Sequence, residues 1–270
     1  MKDFEVIVVG GGHAGIEASV AAARMGCNTA LITMDRNALG RMSCNPAVGG
    51  TAKGHLVYEI DALGGIIGEL ADRTGIQFRV LNQSKGPAVW SSRCQSDRKL
   101  YSEEALNIVG SQENLTVIES IAQEVISNAN KIEGIIIESG ESLKCECLII
   151  ASGTFLNGVM FVGKKTWEGG RFNEKSSKKL SESLKKLGIE AGRLKTGTPP
   201  RIDANTINFN VVELQKGDKI PKPFSTRTDL KSFPFLRQID CFLTYTNENT
   251  HKILRKGFND SPLFTGRIKG

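Results

Sequence analysis

The string Gly10-Gly11-Gly12-His13-Ala14-Gly15 limits this chain to few architectures, because of what stands on either side of it. Residues 4–9 (FEVIVV) read as a buried strand, and residues 14–25 carry the small and apolar spacing of a helix. Glycine is demanded at three places between such a strand and helix. The first permits the tight turn, the second lets a pyrophosphate reach the backbone, and the third lets helix pack on strand. The helix N-terminus is then aimed at phosphate. A strand at residues 29–33 completes a βαβ opening. A glycine-rich turn in an unrelated α/β fold would give the same letters. The acidic residue that commonly closes the second strand to hold ribose hydroxyls is absent at Thr33-Met34, with Asp35 slightly late, so the adenosine end would be held differently.

The rest of the chain extends this reading. We expect an amphipathic helix near residues 52–63, a strand at 77–81, a helix near 97–109, and a strand at 115–119. Short strands at 124–127, 131–138 and 142–144 read as an antiparallel meander, crossing to 147–151 as a strand buried on both faces. That last strand ends in Ala151-Ser152-Gly153, small residues that let backbone pass close to a dinucleotide or simply pack tightly. Strand, meander and return resemble the FAD-binding, Rossmann-like fold of the glutathione-reductase type, which prefers FAD over NAD for the first site. After Pro199-Pro200 the texture turns proline-rich and aromatic until a helix near 249–256. We place a boundary near Thr198, with residues 1–198 as the FAD-binding domain and 199–270 as the start of an inserted second α/β domain.

Composition narrows the function classes. Hydrophobic residues are 40% and charged residues 24% of 270, an ordinary globular balance that excludes disorder and fibre. No apolar run reaches the length of a membrane span, and the N-terminus does not read as a signal peptide, so a soluble cytoplasmic protein is expected. Between Gly163 and Arg201 eleven Lys/Arg face four Glu, a surplus of seven in a chain of net charge +6. Such a stripe attracts a polyanion such as RNA, or is a solvated helix face around residues 181–187.

Six cysteines lack the density of a disulfide scaffold and include no C-x-x-C pair. Cys44, within Ser43-Cys44-Asn45-Pro46-Ala47-Val48-Gly49-Gly50, is the unusual one. A helix N-terminus just after it would favour the thiolate, giving a nucleophile beside a flavin; a small buried hydrophobe is the alternative. Cys145 and Cys147 fall on one face of a strand and need be no redox pair. His13 lies inside the glycine loop, where cofactor contact is expected, and His55 reads as half-buried on the amphipathic helix. The three histidines show no metal spacing, and no metal site is expected.

With these strings in hand, the chain resembles the MnmG (GidA) family of tRNA uridine 5-carboxymethylaminomethyl modification enzymes. The resemblance runs from Val6 to Gly270. Besides the glycine loop it rests on Met42-Ser43-Cys44-Asn45-Pro46, Asp61-Ala62-Leu63-Gly64-Gly65, Ser84-Lys85-Gly86-Pro87-Ala88-Val89, Gly153-Thr154-Phe155-Leu156 and Gly192-Arg193-Leu194-Lys195-Thr196-Gly197-Thr198-Pro199-Pro200-Arg201. It implies a dimeric FAD enzyme working with the GTPase MnmE on the wobble uridine, with methylenetetrahydrofolate as one-carbon donor and NADH as reductant. By position it implies FAD contacts from Gly10, Gly11, Gly12, His13, Ala14, Gly15, Ala122 and Ser177, and a nucleophilic or structural Cys44. The basic stripe, with Arg171, Arg193, Lys195 and Arg201, would face tRNA. The family's NADH-site string, later FAD contacts and partner-binding helical region would follow Gly270, so these residues alone are expected to be poorly active. An FAD-dependent thiol oxidoreductase using Cys44, and a non-catalytic flavin- or tRNA-binding module, are the rival readings.

Overall fold

The computed structural model describes residues 2–129 and 131–268. In chain order its first part forms β1 (Lys2–Val9), α1 (His13–Arg24), β2 (Thr29–Thr33), β3 (Ala47–Gly49), α2 (Gly54–Ala62), α3 (Ile67–Thr74), β4 (Gly75–Leu81), β5 (Ser91–Ser96), α4 (Arg98–Gly110), β6 (Leu115–Glu119), β7 (Ala122–Asn128), β8 (Lys131–Ile137) and β9 (Ser142–Ile150). The second part adds β10 (Val159–Val162), β11 (Lys165–Glu168), α5 (Lys178–Lys186), β12 (Glu213–Gln215), β13 (Cys241–Leu243) and α6 (Glu248–Lys256).

A six-stranded sheet in the order β6-β2-β1-β9-β8-β7 organises the first unit. β6, β2, β1 and β9 run parallel, and β7 and β8 are added antiparallel at one edge. All five residues of β2 are buried, as expected of a strand in a covered parallel sheet. Val8, Ile16, Val20, Leu31, Leu39 and Tyr101 pack α1 and α4 against it. A smaller antiparallel sheet, β3-β5-β4, carries α2 and α3.

Two expectations are corrected here. The strands expected at 142–144 and 147–151 are one continuous strand, β9. Its first three residues pair antiparallel with β8, and residues 143–150 pair parallel with β1, so no turn is needed between them. Nor is it buried on both faces: Leu143 and Cys145 are covered, whereas Cys147 is exposed and Ile149 is 39% exposed on the same side. Sequence reading also missed α3, β3 and β5, which are short.

The chain divides into two compact units, Met1–Gly153 with Lys216–Asp240, and Thr154–Gln215 with Cys241–Gly270. The expected boundary at Thr198 thus falls inside the second unit, and residues 216–240 return to the first. The return is made by specific bonds: Asp218 N–H donates to the Phe78 carbonyl (2.9 Å), Ile239 N–H to the Ile76 carbonyl (2.7 Å), and Val80 N–H to Asp218 Oδ2 (2.8 Å). Phe224 buries its ring beside Tyr58, and Phe233 meets Phe78 edge-on. The second unit holds the hairpins β10–β11 and β12–β13 with α5 and α6.

Candidate functional site

From β1 the chain passes to β2 and β6 on one side, and β9 lies on the other, so the strand order reverses at the carboxyl ends of β1 and β9. Crevices at such switch points are where open parallel sheets take ligands. Gly10 and Ala151 sit there, with Gly10 N–H bonded to the Ile32 carbonyl and Ala151 N–H to the Val9 carbonyl, both 2.8 Å. Gly10 has φ +113°, and a side chain there would run into the Ala151 carbonyl. A Cβ on Gly15 would collide with the Gly10 carbonyl, which is how closely α1 packs on the turn.

Gly12 behaves differently. It is exposed, and a Cβ on it would meet nothing within 4 Å. It is the N-cap of the twelve-residue α1, which no side chain caps. Tight packing at positions one and six, with open space and a helix start at position three, fits a dinucleotide pyrophosphate. His13 faces Tyr101 with ring centroids 5.5 Å apart. At the end of β2 the Thr33 hydroxyl donates to the Asp35 carbonyl (3.2 Å), and Asp35 caps the next turn through Asn37 N–H and pairs with Arg41 (3.4 Å). Asp35 is therefore engaged locally.

The remaining site residues scatter. Cys44 is partly buried in a segment that enters β3, and β3 with the turn at 50–53 separates it from the start of α2. The helix thus starts ten residues after Cys44 in the chain, not directly after the Ser43-to-Gly50 string. His55 is exposed rather than half-buried. Ala122, 4% exposed on β7, belongs to the first unit, and Ser177, the N-cap residue of α5, to the second. All four proposed RNA contacts lie in the second unit. Arg171 pairs with Glu174 (3.2 Å) and covers the Phe155 ring at 5.0 Å, and Arg193 donates to the Asn157 carbonyl (2.9 Å). Lys195 and Arg201 are exposed on a stretch without regular structure.

Matching the whole chain against known proteins identifies the fold's lineage. The model for glucose inhibited division protein A, GidA, matches residues 5–270. The chain belongs to the GidA family. It is 53% identical over 269 residues to a protein of Thermodesulfovibrio yellowstonii, and 53% over 268 residues to one of Campylobacter fetus. Both relatives are named tRNA uridine 5-carboxymethylaminomethyl modification enzyme MnmG. The matches cover 100% and 99% of this chain and 43% of each relative, so the chain spans less than half of their length. The GidA of Aquifex aeolicus superposes on all of this chain and 45% of its own with TM-score 0.93 at 43% identity. The family's FAD-binding, Rossmann-like fold is the architecture described above.

Three buried or half-buried carboxylates escaped the sequence reading. Glu17 on α1 accepts N–H bonds from Ile66 and Ile67 (2.9 and 2.6 Å), capping α3; burial holds its carboxyl above the usual range. Asp72 is fully buried and accepts from Phe224 N–H, Ser225 N–H (2.8 Å each) and the Thr228 hydroxyl (2.6 Å). Burial, with the Asp61 charge adding, keeps Asp72 above its ordinary value despite those donors. Burial also opposes charge at Asp61, but donors from Ser225 and Thr226 and the Arg227 guanidinium at 3.1 Å outweigh it and hold that carboxyl low. The two aspartates thereby fasten residues 224–228 onto α2 and α3. Only the Asp61-to-Gly65 string hinted at any of this.

Proposed function

We propose that this chain is part of an FAD-dependent enzyme that works with the GTPase MnmE to add an aminomethyl or carboxymethylaminomethyl group to C5 of the wobble uridine of tRNA. In this reading methylenetetrahydrofolate supplies the carbon, NADH is the reductant, and the whole protein acts as a cytoplasmic homodimer. The observation that carries it is the glycine cradle at the sheet's switch point, in a chain that matches relatives named for this modification along its whole length. Bound FAD would supply a two-electron carrier.

The chain's own residues have separable tasks. The backbone at Gly10, Gly11, Gly12 and Gly15, with His13 and Ala14, binds the pyrophosphate, and the start of α1 complements its charge. Ala122 and Ser177 add flavin contacts. Cys44 offers a nucleophilic thiol, and Arg171, Arg193, Lys195 and Arg201 attract the tRNA backbone.

A visible absorbance spectrum, taken after FAD is added and the protein desalted, tests the cofactor assignment. Retained flavin bands support it, and a colourless protein overturns it for these residues. In the full-length parent, Cys44→Ser is expected to lose modification while keeping flavin. Full activity in that variant would remove Cys44 from the mechanism.

A further inference from the structure

The string Ser84-Lys85-Gly86-Pro87-Ala88-Val89 has no task in the reading above, yet it forms a well-tied surface loop ending in an exposed tryptophan. Trp90 is 44% exposed, and its indole Nε1–H donates to the Gln83 carbonyl (3.1 Å), which fixes the ring while leaving it accessible. Asn82 ties the loop to its own far end through the Val89 carbonyl (3.2 Å) and to the next loop through the Thr51 hydroxyl (3.2 Å). That second loop is anchored to the same strand: Gly50 N–H donates to the Ser92 carbonyl (2.8 Å) and Ser91 Oγ to the Gly50 carbonyl. Tyr58, also exposed at its edge, bonds Ser92 Oγ through its hydroxyl (2.7 Å).

The two chain stretches that carry these rings hold charge of one sign. From Arg41 to Tyr58, and from Asn82 to Ser96, the chain contains no Asp or Glu; Glu59 and Asp97 bound the two stretches. Lys53, Lys85 and Arg93 make no ion pair among the described residues, and Lys53 and Lys85 are exposed. Fixed aromatic faces among uncompensated cations are what an unpaired nucleic-acid strand needs: rings to stack bases and charge for the phosphates. β3, which follows Cys44, pairs with β5, which follows Trp90, and Ser96 N–H bonds the Pro46 carbonyl (2.7 Å). One small sheet therefore carries both the thiol and the platform.

We propose that the surface formed by residues 51–58 and 82–93 is a second RNA contact, separate from the basic segment at 163–201, on which unpaired bases stack at Trp90. It rests on the tRNA reading above and names the part of the RNA that the first unit would take: a single-stranded loop, held by stacking and charge.

Only two tryptophans are present, so Trp167→Phe leaves Trp90 as the sole indole reporter. A short oligouridylate titrated into this variant at low ionic strength is expected to quench Trp90 emission, with duplex RNA of equal length doing so far less. Trp90→Ala should weaken oligouridylate binding about tenfold, and Trp90→Phe should retain most of it, with unchanged thermal midpoints showing that both variants fold. Lys53→Ala and Lys85→Ala should each lower the salt dependence of binding by about one ion equivalent. Unquenched Trp90 with RNA bound, or Trp90→Ala binding as tightly as wild type, overturns the platform. If Lys195→Ala with Arg201→Ala then abolishes that binding, the tRNA reading survives on the basic segment alone. A wild-type protein that binds no RNA overturns both, while the flavin spectrum is unaffected by either result.

Discussion

At the scale of single residues, the glycine loop separates positions packed against protein from one that faces open space. Gly15→Ala would drive a methyl into the Gly10 carbonyl, and overpacking of this kind costs about 1–3 kcal/mol, so both thermal midpoint and flavin retention should fall. Gly12→Ala meets no protein atom; on the proposed cofactor assignment its midpoint should stay near wild type while FAD retention drops, because the methyl would take the space assigned to pyrophosphate. Differential thermal melts of the two variants with and without FAD check the contrast. Gly10 and Gly15 were legible in sequence because each has a local steric reason, set by the strand before and the helix after. Asp61 and Asp72 were not, since a carboxylate on a short helix normally reads as a solvated face, and the amides they serve lie 152 to 165 residues away. Trp90 was unreadable for a related reason: only the fold shows whether an indole is covered.

Among elements, several regular ones were read closely, β9 was split in two, and the shortest were missed. α1, β2, α4 and β6 match their periodic patterns within a residue or two, as hydrophobic period dictates. β3 and α3 have three and eight residues, and their existence depends on β5, on Glu17 as a cap, and on residues 216–240. The boundary expected near Thr198 rested on proline-rich texture, which marks irregular backbone; part of that backbone, residues 216–240, groups with the first unit as a strap. Phe224 is the strap's apolar anchor, 1% exposed and in contact range of Gly49 and Gly68. Phe224→Ala should cost about 3–5 kcal/mol, seen as a lower urea midpoint. Local proteolysis within 216–240 should rise with it, and an unchanged midpoint would show that the strap adds no stability.

For the molecule as a whole, the thiols and phenol of the core set its behaviour in alkali. Burial pushes the Cys94 thiol from 9.0 up to about 12, and burial with the neighbouring Cys147 pushes Cys145 to about 11; burial raises Tyr101 further. A group whose folded value lies above its unfolded one adds stability in full below the unfolded value and loses it as pH climbs to the folded one. Thermal midpoints should therefore hold to about pH 9 and fall between 9 and about 12. Cys94→Ala should begin lower, having lost packing, and fall less steeply; equal slopes would exclude Cys94 as a source. The strap has another consequence, in the order of synthesis. Asp61 and Asp72 leave the ribosome long before Phe224 to Thr228, so the nascent first unit must carry two unsatisfied buried acids, or keep α2 and α3 loose, until the second unit's first segment has been made. The Rossmann unit can finish folding only after translation has passed through its neighbour and come back.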